Sequence, residues 1–507
     1  MTIHLSILLF WPLALALLSG LAPRRLAPLF LLAGTLVPLG YAVLMLFDFE
    51  HARPGLQYVT DDAWIEELGI RYKLGVDGLS LWLIALSTLL FAASALWLLV
   101  RPVERPRQFA FLMALAETAL LGAFMAQDLA LFVLFFDLML VPFLFLMFGW
   151  GRGERRAATI KMMIYTLVGS LLMLAAAVAT AVLGAQASGG PLTFVLSDLA
   201  QVQLDEGTQR WLFAGFALAF LIKMPAFPFQ GWMPEAYGTM PLPALAVFSG
   251  VLSKVAAYGF LRIVLPVLPD AAVDFQLVIL LIGLVGIVYG SAMAFTQTEL
   301  RLVLGYSSIA QLGFITLGIF AFRDEGVQGA ILQSVNHGLV VAALFFIVML
   351  VAERAGGSED LRDLGGIAFR GPVLATLFLI VALATLAIPG SANFAGEFLI
   401  LLGVFNSELV IAVIAFLGVA MASVYMLRAY IRTMHNRTGP KTGESRDIGF
   451  RDALVLVPLV LAIIAFGLYP QAALRDGEQA LRGPAPLLER VAGDDRSLEA
   501  ARAEVAP

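Results

Sequence analysis

Trp211 to Tyr258 reads WLFAGFALAFLIKMPAFPFQGWMPEAYGTMPLPALAVFSGVLSKVAAY. The run is apolar enough to cross a bilayer, yet it carries Lys223 and Lys254 deep inside it, and Lys223 stands beside a Pro225/Pro228 break. A lysine at the centre of a membrane costs about 3 kcal/mol or more, so a chain that keeps two of them uses them. Whatever surrounds this stretch has to be read as a membrane protein built to hold charge.

The composition agrees. Of 507 residues, 60% are hydrophobic and 14% charged, with a mean hydropathy of +0.90, which excludes an ordinary soluble domain. The 46 glycines and 37 phenylalanines suit helices packed closely in lipid. The expected class is an all-α polytopic membrane protein of about fourteen transmembrane helices. Candidate spans fall at 3–19, 26–47, 79–100, 108–126, 129–149, 157–184, 211–232, 241–264, 273–295, 300–320, 327–352, 372–404, 408–433 and 453–469. The first has no basic segment before it and is followed by Pro23-Arg24-Arg25, so it is read as a retained helix. There is no cysteine, which removes thiolate metal sites, iron–sulfur ligation and disulfides, and the four scattered histidines make a haem site improbable. Redox chemistry is therefore expected in another polypeptide.

The net charge of -5 decides little, because orientation follows the distribution of basic residues. Arg24/Arg25, Arg101/Arg105/Arg107, Arg152/Arg155/Arg156, Arg354/Arg362/Arg370 and Arg432/Arg437/Lys441/Arg446 fall in alternate loops, assigned to the cytoplasm. Segments 48–78 and 185–210 are acid-rich and belong outside, as do both termini. The mixed-charge tail 471–507 is expected as a helix or disordered stretch on the outer side. Nothing between the spans reads as a separate folded domain.

Two spans refuse to be simple. Trp211 to Thr239 stays helix-like through Pro225, Pro228 and Pro234, and 372–404 would be about 50 Å long as one helix. The second contains Ile388-Pro389-Gly390-Ser391, where proline removes a donor and glycine permits an unwound turn. One interrupted helix in each half points to inverted repeats with a site near the midplane. The expected organisation is 1–100 as flanking helices and an external loop, 108–264 and 273–433 as two inverted five-helix repeats, and 434–507 as a last helix with the charged tail.

The polar residues at membrane depth carry the chemistry. Asp137, in LFVLFFDLMLVPFLF, lies about 14 Å along its helix from Asp128, and Lys223 about 18 Å from Trp211. A lysine and an acid at that depth form either a titratable switch with coupled protons or a permanent brace on the broken helix. Glu117 lies at similar depth on the preceding span; it either shares a wet site with Asp137 or caps a helix contact. Lys254 has no obvious partner in its own helix, which frees it to exchange protons or leaves it a static hydrogen-bonding group. His337 is either a relay, given its near-neutral titration, or a satisfied core histidine. Glu397, just past the second break, is favoured as a terminal proton carrier over a helix-capping acid. Tyr306, Ser307, Ser308 and Gln311 either order water between Lys254 and His337 or make ordinary interhelical bonds. No nucleotide loop, metal cluster or catalytic triad accompanies them.

GVDGLSLWLIALSTLL (75–90), FFDLMLVPFLFL (135–146), FALAFLIKMPAFPFQGWMPEAY (216–237), SKVAAYGFLRI (253–263), LGYSSIAQLGF (304–314), NHGLVVAALFF (336–346) and IPGSANFAGEFLILLG (388–403) together resemble the antiporter-like membrane subunits of respiratory complex I, the NADH-quinone oxidoreductase. The resemblance covers nearly the whole chain, in order. It implies a fourteen-helix proton-translocating subunit of the membrane arm with inverted repeats, coupled to quinone reduction elsewhere in the complex. In that family an acid of the fifth span pairs with the first broken-helix lysine, a second lysine bridges the half-channels, and an acid follows the second break. These roles fall on Asp137, Lys223, Lys254 and Glu397. The resemblance further implies no cofactor in this chain, with flavin, iron–sulfur clusters and quinone in partner subunits. It implies antiporter-like chains on either side as partners within the bilayer, no nucleic acid, and a place in the bacterial inner membrane. Two positions depart from the pattern: the family usually has glutamate at Asp137, and commonly histidine at Gln311. Two other readings stand beside this one, a subunit of a multisubunit Na⁺/H⁺ antiporter and a non-pumping membrane scaffold.

Overall fold

The computed structural model describes residues 4–481 apart from 52, 54, 444 and 445. The tail beyond Leu481, expected as helix or disorder, lies outside the described residues; its start is a helix, Gln471–Leu481. The described chain is almost wholly helical, and eleven of its helices are long and apolar enough to cross a membrane.

In chain order the principal helices are α1 (Leu5–Ser19) and α2 (Ala27–Asp48), then α3 (Gly78–Val100), α4 (Pro106–Met125), α5 (Leu129–Trp150) and α6 (Arg155–Ser188). They continue with α7 (Glu206–Lys223) and α8 (Met233–Thr239), α9 (Leu242–Val267), α10 (Gln276–Thr296), α11 (Leu300–Phe320) and α12 (Asp324–Arg354). The last are α13 (Pro372–Thr385) and α14 (Ala392–Ser407), α15 (Leu409–Met434), α16 (Phe450–Leu468) and α17 (Gln471–Leu481). Three begin at an aspartate whose side chain takes orphan amides of the first turn: Asp77 before α3 from Leu79 and Ser80, Asp128 before α5 from Leu131, and Asp205 before α7 from Thr208. Asp77 and Asp205 belong to the segments that are acid-rich in sequence.

Both expected breaks are present. The helix beginning at Glu206 stops at Lys223, because Pro225 has no N–H to give the carbonyl four residues back, and helix resumes only at Gln230. The Leu221 carbonyl that Pro225 cannot serve accepts from the Ala226 amide at 2.9 Å, and the next carbonyl, of Ile222, is taken by the indole N–H of Trp232 at 3.0 Å. In the second case helix runs to Thr385 and restarts at Ala392, across Pro389 and Gly390, the latter at φ +88°. Two further irregularities were not expected. A turn at Met139 divides α5 one residue past Leu138, whose carbonyl Pro142 cannot serve. Inside α9, π-helical turns at Phe248–Leu252 and Phe260–Val264 flank the helical turns that carry Lys254.

Segment 48–78, read as an acidic loop, folds as an antiparallel hairpin of β1 (Gln57–Ile65) and β2 (Ile70–Val76). The hairpin is fastened from below: Lys73 gives its carbonyl to the Gln127 amide, and the Arg71 amide donates to the Asp128 carboxylate at 3.0 Å. Its strands lie half exposed, so hydrophobic alternation is weak and left no strand signal.

The helices sort into a centre and a rim. In α9 and α12 every residue of the most apolar window is buried, and in α11 94% are, whereas α2 and α16 bury 33%. The central three carry Lys254, Gln311 and His337, so the most enclosed helices are those holding the polar groups. Glycine brings two of them together: a Cβ on Gly338 of α12 would stand 2.5 Å from the Gly250 carbonyl oxygen of α9. Gly338→Ala should therefore force α9 and α12 apart and lower stability by about 1–3 kcal/mol. Gly40→Ala, with open space around it, should be neutral or slightly stabilising; thermal unfolding of the detergent-solubilised protein compares the two.

Candidate functional site

Lys223 is the last residue of α7, where the negative end of a helix favours a cation. Its side chain is 2% exposed. The ammonium donates to the Phe136 carbonyl oxygen at 2.9 Å and lies 3.8 Å from the centre of the Phe136 ring, a cation–π contact. Asp137, the next residue, stands within electrostatic reach of Lys223 but makes no ion-pair contact with it. Its Oδ1 is buried without a partner, and Ser170 of α6 approaches the same carboxylate. The structure thus brings Lys223 and Asp137 together as neighbours, with the ammonium held on backbone and ring.

Lys254 is fully buried. It donates to the Ser249 carbonyl oxygen at 2.8 Å, inside the π-helical turn. The wider turn leaves that oxygen accessible to a side chain, a common use of π-bulges at functional positions. Across the Gly250/Gly338 approach lies His337, within electrostatic reach of Lys254. Neither ring nitrogen of His337 has a hydrogen-bond partner. On the neighbouring position of α12, Asn336 donates to the Ala392 carbonyl at 2.5 Å, the first residue of the helix beyond the second break.

Glu397, 3% exposed, sits in the second turn of α14. Its Oε1 accepts from Gln311 Nε2 at 2.8 Å and from Gln333 Nε2 at 3.4 Å, while Gln333 also donates to Gln311 Oε1 at 2.7 Å. Tyr425 of α15 lies within electrostatic reach of the same carboxylate. Gln311 therefore binds Glu397 and Gln333, an interhelical hydrogen-bonding role. The hydroxyls of Ser307 and Ser308 donate to the Leu304 carbonyl of their own helix, which is an ordinary helical role. Gln333 was missed in sequence, although it lies four residues before His337 on the same helix face.

Glu117 of α4 is fully buried with both carboxyl oxygens unpartnered. No hydrogen bond or charge contact among the described residues joins it to Asp137. It faces the interior by a different route: α4 is tied to the Lys254 helix by Tyr258, whose hydroxyl donates to the Phe124 carbonyl at 3.0 Å.

Ion pairs close the bundle around these groups. On the arginine-rich side Arg301 holds Glu359 with two bonds of 2.5 Å and donates to the carbonyls of Tyr237, Gly238 and Met240, the end of α8. Both side chains are nearly inaccessible. On the opposite side Arg262 pairs with the Asp77 cap and bonds the Tyr258 hydroxyl at 3.2 Å. Sequence reading missed both pairs, since an arginine near a span end resembles any other basic flank.

The family described as NADH:quinone oxidoreductase/Mrp antiporter, transmembrane, matches residues 126–423, from before Asp137 to past Glu397. The chain belongs to this family. It is 35% identical over 483 residues to NADH-quinone oxidoreductase subunit M of Rhodobacter capsulatus, covering 92% of this chain and 93% of the relative. Its fold matches a chain of respiratory complex I from Thermus thermophilus with bound NADH, at a TM-score of 0.86 and 29% identity, over 96% of this chain and all of that one. A chain of the Mrp complex from Dietzia has the same fold at a TM-score of 0.83 and 22% identity, covering 97% and 100%.

Removing one partner of a buried ion pair leaves a charge with no solvent and costs about 3–5 kcal/mol. Arg301→Ala should therefore unfold the arginine-rich side of the bundle first. Arg362→Ala, which breaks an exposed pair with Asp360, should leave the unfolding midpoint nearly unchanged. Hydrogen exchange at Tyr237–Met240 distinguishes the two.

Proposed function

We propose that this chain is a proton-translocating, antiporter-like subunit of the membrane arm of an NADH-quinone oxidoreductase. The observation that carries the reading is the set of enclosed proton-exchangeable groups anchored at both helix breaks: Lys223 with Asp137 at the first, Glu397 with its glutamines at the second, and Lys254 with His337 between them on α9 and α12. Adding the short α1 and the two interrupted helices to the eleven long ones gives fourteen crossings. In 108–264 and in 273–433 the interrupted helix comes fourth of five, the order that inverted repeats require. The arginine-rich loops then face the cytoplasm, and both ends of the chain lie outside the bacterial inner membrane.

In this mechanism a proton from the cytoplasm reaches Lys223 while the ammonium is separated from Asp137. Lys223 resting on the Phe136 carbonyl, beside Asp137 but not paired with it, fits the separated arrangement. The proton passes by water to Lys254, past His337 to Glu397, and leaves outward when a neighbouring subunit changes its charge. Moving one charge against 100 mV requires about 2.3 kcal/mol, and remaking an ion pair in a low-dielectric interior supplies energy of that order. Asp137 is one methylene shorter than the glutamate usual in the family, so its exchange with Lys223 runs through a water. In this reading iron–sulfur clusters belong to partner subunits, since this sequence has no cysteine to ligate them, and flavin and quinone are placed in partner subunits with them.

The same fold in an Mrp complex keeps a Na⁺/H⁺ antiporter subunit as the second reading. The proteins that travel with the chain through mild detergent extraction separate the two: NADH-oxidising subunits support the proposal, and only further membrane chains support the antiporter. Lys223→Ala and Glu397→Ala should each abolish proton pumping with the complex still assembled. The measurement is the proton-to-electron ratio in reconstituted vesicles, and a normal ratio in either variant refutes the assignment.

A further inference from the structure

Between α1, α4 and α5, at the arginine-rich end of the bundle, lies a groove of about 540 Å³. Its walls are apolar and open toward the lipid: Leu17, Phe145 and Phe148 are each more than half exposed. Its mouth carries Arg105 and Arg107. Several arginines of this face meet a carboxylate, as Arg101, Arg152, Arg301, Arg354 and Arg362 do. Neither Arg105 nor Arg107 has an ion-pair partner among the described residues. Glu104, although adjacent in sequence, contributes only its backbone carbonyl, which accepts from the Trp150 indole at 2.6 Å.

Both guanidinium groups are nevertheless held in place. Arg105 stacks 4.3 Å from the centre of the Trp150 ring and donates to the Gly149 carbonyl at 2.6 Å. Its backbone takes φ +50°, a left-handed conformation that strains a residue with a side chain. Arg107 donates one terminal nitrogen to the Ala22 carbonyl, while its Nε is buried with no partner. Two fixed positive groups without counter-ions, above an apolar trough that opens to the bilayer, complement an anion that carries hydrocarbon.

We propose that this groove is a binding site for an anionic phospholipid, its phosphate on Arg105 and Arg107 and an acyl chain along Leu17, Phe145 and Phe148. Guanidinium forks suit phosphate oxygens, and basic pockets between membrane helices on the cytoplasmic side recognise anionic headgroups. The site lies outside the proposed proton path, so its failure would leave the pumping assignment untouched.

The test uses the intact membrane assembly in mild detergent, stripped of lipid and then offered phosphatidylglycerol, phosphatidylcholine or inorganic phosphate, with lipid bound to this chain counted by native mass spectrometry. Phosphatidylglycerol should be retained about tenfold more strongly than phosphatidylcholine. The R105Q/R107Q double variant should lose that preference, whereas R105K/R107K and R432Q, at the end of α15, should keep it. Equal retention of the two lipids, or an unchanged preference in R105Q/R107Q, overturns the proposal. Displacement of the lipid by phosphate alone would show an anion site without the apolar trough and overturns it as well. Because the chain has no cysteine, Phe148→Cys supplies a unique thiol in it. Cross-linking of that thiol to another subunit would place protein in the groove and exclude the lipid, while reaction with a lipid-soluble maleimide supports the open trough.

Discussion

A charge taken out of water needs oxygen close by, and in the middle of an apolar bundle only backbone and a few side chains can provide it. Both interior lysines use backbone. Lys223 rests on the Phe136 carbonyl and Lys254 on the Ser249 carbonyl, at 2.9 and 2.8 Å. A regular α-helix spends its carbonyls on its own amides, so each acceptor lies where regularity fails: Phe136 just before the turn at Met139, Ser249 inside a π-helical turn. The interruptions therefore do more than shorten helices to fit a membrane. They create the places where an ammonium can stay without a permanent counter-ion, which a movable proton requires.

The two halves meet this constraint differently. In the first the acceptors are carbonyls and a ring, and the only nearby carboxylate, Asp137, stands aside from the ammonium with one oxygen unpartnered. In the second the carboxylate is the guest and amides are the hosts, with Gln333 orienting Gln311 and both donating to Glu397. A glutamine at 311 cannot titrate, but with its oxygen engaged by Gln333 its N–H is aimed at the acid and nowhere else. The ionisable burden of the second half then falls on Glu397 itself and on His337, whose ring nitrogens remain unengaged.

Much of this was legible in sequence because hydropathy and proline act locally. The eleven membrane-length helices, both breaks, and the burial of Lys223, Lys254, His337 and Glu397 follow from runs of apolar residues interrupted at Pro225 and at Pro389-Gly390. What escaped depends on partners remote in the chain. The hairpin 57–76 is fixed by Asp128 and Gln127, fifty or more residues away, and its half-exposed strands carry no clear alternation. The π-helical turns of α9 have no composition of their own. Gln311 reads as a water-holding residue until Gln333 and Glu397 are placed beside it, and Glu117 and Asp137, read at similar depth in sequence, occupy separate surroundings.

Burial alone therefore does not separate bracing ion pairs from the groups proposed to exchange protons. Arg301 with Glu359 is as enclosed as the lysines and Arg262 with Asp77 is partly exposed, but each arginine is met by a carboxylate and further oxygens. Such a group has every reason to stay where it is. Lys254, His337, Asp137 and Glu117 are instead left with one acceptor, a single neighbour or no partner for some atom. The Arg301–Glu359 pair anchors the end of the first broken helix at Tyr237–Met240, and Arg262–Asp77 ties α9 to the start of α3. Arg301–Glu359 and Arg262–Asp77 thus hold the helical frame, while His337, Asp137 and Glu117 keep unengaged atoms in its interior, the condition that the proposed proton exchange requires.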